Sequence, residues 1–138
     1  MIVISHRGNT TGPVKQTENR PQTIQPLLDK NIHVEIDVWL IGDSFFLGHD
    51  DPLYKTDIKF LLQKNLWCHA KNLKSLEEML KHDINCFWHE NDKHTLTSNG
   101  YIWTYLNQKT CDKSIIVDLS KNWKEKNYNC YAICVDYL

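Results

Sequence analysis

Short apolar runs recur along this chain at residues 2–5, 33–39, 45–48, 66–70, 85–89, 101–105, 114–119 and 131–136, and each ends in polar or charged residues. Several are nearly continuous in apolar residues, the pattern of strands covered on both faces. So many strands in 138 residues leave little chain for helices. Helical spacing survives in three places. Ile58, Leu61 and Leu62 share a face, with Thr56 or Asp57 as the N-cap. Ser75 and Glu78 read as a capping box, followed by Met79 and Leu80. Ile24, Leu27 and Leu28 also have helical spacing, but Pro26 interrupts the run and should kink or shorten it.

The links after the second, fifth and sixth runs are too short for a crossover helix. Asp37 and His49 are only twelve positions apart (49 − 37), and Gly42-Asp43-Ser44 between them reads as a turn. If both flanking strands run the same way, the chain must return in extended form through residues 39–41. A full (β/α)8 barrel takes about 250 residues. The expected fold is therefore α/β, a compact (β/α)8 TIM-type barrel with several outer helices missing or replaced by loops. It forms a single domain over residues 1–138. The alternative is an open parallel α/β sheet with an antiparallel edge.

Composition narrows the partners. The formal net charge is −1 with no basic run, so nucleic acid is not expected. No apolar stretch is long enough for a transmembrane segment, and no signal-peptide pattern follows Met1, which makes the cytoplasm the expected compartment. Five cysteines, an odd number, suit buried thiols better than a disulfide framework. Missing outer helices would leave barrel flank uncovered, a surface that suits a homodimer.

In a parallel barrel every strand's C-terminal end opens onto one face, so residues distant in sequence converge there. Glu35 and Asp37, at i and i+2, project to the same side of a strand, while Ile36 and Val38 point toward covering helices. Two carboxylates in a barrel mouth repel each other and lose hydration. A hard divalent cation such as Mg²⁺ or Ca²⁺ resolves both problems, as does pairing with Lys71 or Arg7 and no metal. His6 and His49 each close a run. As a pair they suit general acid and base work; singly, each reads as a hydrogen-bonded structural residue. Arg7 offers a phosphate a bidentate fork and Lys71 a point charge; alternatively, Arg7 points outward to a helix carboxylate and Lys71 neutralises Glu35. Trp103 and His89 are candidates for substrate contact.

His6-Arg7-Gly8, Glu18-Asn19, Glu35-Ile36-Asp37-Val38 and Gly48-His49-Asp50-Asp51 resemble the N-terminal half of the glycerophosphodiester phosphodiesterase family. Ile102-Trp103-Thr104-Tyr105 and Cys134-Val135-Asp136-Tyr137 are similar to its last-strand motifs. That family belongs to the phospholipase C-like phosphodiesterase TIM-barrel superfamily. The resemblance implies a metal-dependent hydrolase of glycerophosphodiesters or a similar small alcohol-phosphate diester. It implies His6 and His49 as the proton-transfer pair, Glu35 and Asp37 on the metal, and Arg7 and Lys71 on the phosphoryl oxygens. The readings beside it are a non-catalytic phosphoryl-binding relative and a phospholipase-type lyase that stops at a cyclic phosphate.

The chain departs from the pattern in three ways. Where the family carries Glu-x-Lys, this chain has His69-Ala70-Lys71. Either His69 ligates through a ring nitrogen, which favours Mn²⁺ or Zn²⁺, or two carboxylates and water complete the metal site. The loop from Gly8 to Glu18 is long, which leaves the roles of Glu18 and Asn19 open. The barrel is short and the family's common insertion is absent, so the glycerol-binding wall is either missing or differently made.

Overall fold

Strand β1 (Ile2–His6) runs through the middle of a sheet whose neighbours on both sides are parallel to it. In this computed structural model, which describes residues 1–138, β2 (His33–Ile41) lies on one side of β1, followed by β5 (Leu66–Ala70) and β6 (Cys86–Phe87). On the other side lie β10 (Ala132–Val135), β9 (Ser114–Val117) and β8 (Ile102–Thr104). Strand β7 (His94–Leu96) then pairs antiparallel with β8. Strands β3 (Ser44–Leu47) and β4 (Tyr54–Thr56) form an antiparallel extension from β2.

The result is a curled mixed sheet with three short helices, and it replaces the expected TIM-type (β/α)8 barrel. Three physical features account for the difference. The run after β2 doubles back as a hairpin at Gly42, so β3 is antiparallel and the expected extended return does not occur. The links joining β8, β9 and β10 hold no α-helix. No strand ladder joins β6 to β7 or β8. Instead Ser98 spans the gap, its N–H donating to the Cys86 carbonyl and its Oγ accepting from the Cys86 N–H.

Helices α1 (Pro21–Leu28), α2 (Ile58–Leu61) and α3 (Leu73–Lys81) lie where the periodicity places them. Pro21 occupies the first turn of α1, where its missing N–H costs nothing, and Pro26 leaves the helix only eight residues long. Asp57 caps α2 by accepting from the Phe60 N–H. The start of α3 differs from the expected capping box. Asn72 is the cap, accepting from the Ser75 N–H, while Ser75 is buried and donates to the Val38 carbonyl.

Alternation along the strands sorts the core into layers. Val34, Ile36 and Val38 of β2, with Cys68 and Ala70 of β5, face α1 and α3 and pack against Ile24, Leu28 and Met79. The concave face is filled by Ile4, Trp67, Phe87, Trp103, Ile115 and Cys134. Large aromatic rings supply the volume here, and Phe87 stacks on Trp103 with centroids 4.3 Å apart. Behind β1 and β10, Trp123 covers Ile133 and Val135 in place of a helix. No helix is long and apolar enough to cross a membrane.

Candidate active site

Register places the polar ends of these strands side by side. His6 pairs with Glu35, and Asp37 pairs with His69. Glu35 and Asp37 therefore share the concave face of β2, with Ile36 turned toward the helices. Both carboxylates are essentially buried. The edge of β2 that pairs with β1 changes partner at this level. Arg7 N–H donates to the Glu35 carbonyl, Asn19 Oδ1 accepts from the Asp37 N–H, and Gly48 N–H donates to the Asp37 carbonyl. These three contacts bring the post-β1 loop, the approach to α1 and the His49 loop to one point.

Arg7 and Asn19 hold left-handed backbone conformations, at φ 55° and 58°, and Asn19 N–H donates to the Arg7 carbonyl. Such conformations are costly for non-glycine residues and persist where surrounding contacts over-determine them. Asn19 Nδ2 donates to Asp37 Oδ2 at 2.9 Å, and Arg7 Nε lies 3.1 Å from the same oxygen. Arg7 also reaches Glu18 at 3.5 Å. The long loop thus returns Glu18 and Asn19 to the site.

His6 Nδ1 lies 2.8 Å from Asp136 Oδ1, and Asn9 Nδ2 donates to that same oxygen. With Nδ1 occupied, His6 Nε2 is the free nitrogen, 3.9 Å from Glu35 Oε2. His69 Nε2 lies 2.8 Å from the His89 carbonyl, and its Nδ1 lies 3.2 Å from Asp37 Oδ1 and 3.8 Å from Glu35 Oε1. Lys71 Nζ is 3.9 Å from Asp37 Oδ1. His49 sits on an exposed loop, with Nδ1 2.7 Å from Asp50 Oδ1.

A cavity of about 330 Å³ opens among these groups. Its lining includes His6, Arg7, Glu35, His49, His69, Lys71, His89 and Trp103; of the sequence-derived candidates for metal, proton transfer, phosphate and substrate, only Asp37 is outside the lining. Trp103 is chiefly a core residue stacked on Phe87 that also reaches the cavity wall. Glu90, Asn91 and Tyr105 complete the far wall; the Tyr105 hydroxyl donates to the Glu90 carbonyl at 2.6 Å. The sequence places Asp136 in a last-strand motif that could line the mouth, but it reveals neither the partner of Asp136 nor any role for Asn9. Asp136 immediately follows the last strand, two residues after the inward-facing Cys134, but its pairing with His6 is visible only once β10 is known to lie beside β1.

Compared with protein-family profiles, curated proteins and solved structures, the chain matches none of them. The functional reading therefore rests on the site's own geometry for a metal- and phosphate-binding pocket, and on the motif resemblance for reaction type and substrate class.

That geometry separates the titrating groups. Burial pushes the Glu35 carboxyl up, and the Asp37 charge beside it adds to the effect. Burial pushes Asp37 up as well, but the neighbouring His69 ring, the Arg7 guanidinium and the Asn19 amide hold it well below the usual carboxylate range. Burial alone would lower His6, yet its bond to Asp136 and the nearby Glu35 carboxylate outweigh that and raise it. His89 is lowered by burial, then by His69.

Glu35, Asp37 and His69 can each aim one ligand atom so that all lie within 4.8 Å of one another. Asp37 Oδ1 and Glu35 Oε2 are buried oxygens with no hydrogen-bond partner. Buried, unpaired carboxylate oxygens carry a large desolvation cost, which a cation offsets. This donor set fits a divalent metal ion.

Proposed function

We propose that this protein is a metal-dependent phosphodiester hydrolase acting on glycerophosphodiesters or a similar small alcohol-phosphate diester. One observation carries the reading. Two histidines, two cationic side chains and a buried carboxylate–histidine cluster surround a single cavity of about 330 Å³. That volume suits a small diester better than an extended polymer.

Glu35, Asp37 and His69 would hold the cation, which when bound supplies positive charge against the phosphoryl oxygens and the attacking oxygen. Lys71 adds a second positive group at the cavity wall. Arg7 is braced between Asp37 and Glu18, so its guanidinium keeps a fixed orientation toward the phosphate. Asp136 holds His6 with Nε2 free and raises its pKa, which suits His6 to donate a proton to the departing alkoxide. His49, across the cavity, takes the proton from the attacking water. The P–O bond to the alcohol breaks as the water oxygen bonds to phosphorus, leaving a phosphomonoester and a free alcohol.

The test is release of glycerol phosphate from glycerophosphodiesters by purified protein, with Mg²⁺, Ca²⁺ or Mn²⁺ and with chelator. His6→Ala and His49→Ala run beside the wild type. Metal-dependent turnover lost in both variants supports the reading. Turnover no greater than in the variants, with any metal, removes this substrate class. A cyclic phosphate product reassigns the protein as a lyase.

A further inference from the structure

We propose that the cation site selects a first-row transition-metal ion such as Mn²⁺ or Zn²⁺ over Mg²⁺ and Ca²⁺. In this proposal Nδ1 of His69 is the ligand and the His89 backbone carbonyl is the group that presents it. The inference rests on the metal-site part of the functional reading and deepens it.

A carbonyl oxygen can only accept, so the 2.8 Å contact between His69 Nε2 and the His89 carbonyl places the proton on Nε2. The neutral ring then carries its lone pair on Nδ1, directed toward the two carboxylates. Nδ1 lies 3.2 Å from Asp37 Oδ1, yet that oxygen is among the buried atoms without a hydrogen-bond partner. An Nδ1–H would not be aimed to donate to Asp37 Oδ1, and an unprotonated Nδ1 sets its lone pair against the two carboxylates. A metal ion shared by Nδ1, Asp37 and Glu35 turns the same three contacts into ligation. Histidine ligands to metals commonly donate their second ring N–H to a backbone carbonyl, which fixes the tautomer and strengthens the donor.

The ring is also held in plane. His69 stacks on Phe87 with centroids 5.1 Å apart and an interplanar angle of 10°, and Phe87 stacks in turn on Trp103. This column starts in the concave core, so His69 cannot swing away without disturbing Phe87. An imidazole nitrogen fixed in this way favours Mn²⁺, and Zn²⁺ more strongly, over the hard cations Mg²⁺ and Ca²⁺.

Uniformly ¹⁵N-labelled protein is titrated with Zn²⁺ while long-range ¹H–¹⁵N spectra follow the histidine ring nitrogens. In parallel, competition against bound Mn²⁺, read by electron paramagnetic resonance, ranks Zn²⁺, Mg²⁺ and Ca²⁺. The expected result is a protonated Nε2 on His69 throughout, with a metal-induced shift confined to Nδ1. Mn²⁺ should bind at least about tenfold more tightly than Mg²⁺, and His69→Glu should collapse that preference. Metal binding with an unperturbed Nδ1, or with no preference for Mn²⁺ over Mg²⁺, overturns this inference and leaves the metal site standing. No saturable binding of any of the four ions removes the metal site itself. The wild-type spectra decide the matter even if His69→Glu does not fold.

Discussion

Asn19 grips Asp37 at two points, its Nδ2 donating to Oδ2 and its Oδ1 accepting from the Asp37 N–H, both at 2.9 Å. One amide thus replaces a strand neighbour on the edge of β2 and orients the carboxylate at the centre of the site. Asn19→Ala leaves the buried Asp37 N–H unpaired, leaves Asp37 Oδ2 with Arg7 alone and puts alanine at φ 58°. The expected cost is about 2–3 kcal/mol of stability. At roughly 3 °C per kcal/mol for a domain of this size, the melting temperature should fall by about 6–9 °C. Calorimetry checks the stability, and a metal titration should show weaker binding because Asp37 is no longer oriented.

Asp136→Asn removes the charge that raises His6 while keeping a polar group near Nδ1. The limb of the pH–rate profile governed by His6 should move to lower pH, whichever way its proton travels, because the variant His6 deprotonates more readily. A loss of about 10²–10³ in kcat is expected from the weakened proton transfer. A merely structural role for Asp136 would lower activity without moving that limb.

Much of the site was legible because strand parity is local information. Glu35 and Asp37 alternate with Ile36 and Val38, so their shared face follows from the run itself, as does the turning of both His69 and Lys71 toward Asp37. The barrel expectation failed at specific junctions. Nothing in Trp39-Leu40-Ile41 distinguishes an extended return from a hairpin arm, and Gly42 at φ 58° resolves it only in three dimensions. Strands β4 and β7 were not anticipated: each is only three residues long and lies at an edge of the sheet, so neither carries a full apolar period. The pairing of Asp136 with His6 follows from sheet order and that of Asn19 with Asp37 from the path of the loop after β1, neither of which a local pattern encodes.

Gly48 tests whether His49 acts separately from the metal cluster. A Cβ at Gly48 would lie 1.9 Å from the Asp51 carbonyl oxygen, a backbone atom that cannot simply rotate aside. Gly48 is also tied to β2, its carbonyl accepting from Trp39 Nε1 at 2.7 Å and its N–H donating to Asp37. Gly48→Ala must therefore displace the loop that carries His49. Misplacing a reacting group by about 1 Å costs on the order of 10²-fold in rate, so kcat should fall by about that factor. Metal affinity, measured by direct titration, should change far less than kcat: the loop bonds only the Asp37 backbone carbonyl, while Asn19 and Arg7 hold its carboxylate.

Away from the cavity, Asp118 at the end of β9 holds the long connection to β10. Its carboxylate accepts from Lys126 Nζ at 2.7 Å, from Ser120 Oγ at 2.6 Å and from the Tyr128 hydroxyl. Burial raises this carboxyl, but Lys126, Ser120 and Tyr128 outweigh it and hold it well below the ordinary range. A carboxylate with a depressed folded-state pKa stabilises the native protein above its unfolded value of about 3.9, and that contribution is lost as pH falls toward the folded value. Asp118→Asn should therefore cost about 1–3 kcal/mol near pH 7 through weaker charge-assisted bonds. The difference from wild type should hold down to about pH 5 and shrink below about pH 4, where the wild-type carboxyl begins to protonate on unfolding. Denaturant titrations of both proteins from pH 7 to pH 3 measure this. A gap that stayed constant across the range would assign the clamp to packing around Trp123 instead of the Asp118 charge.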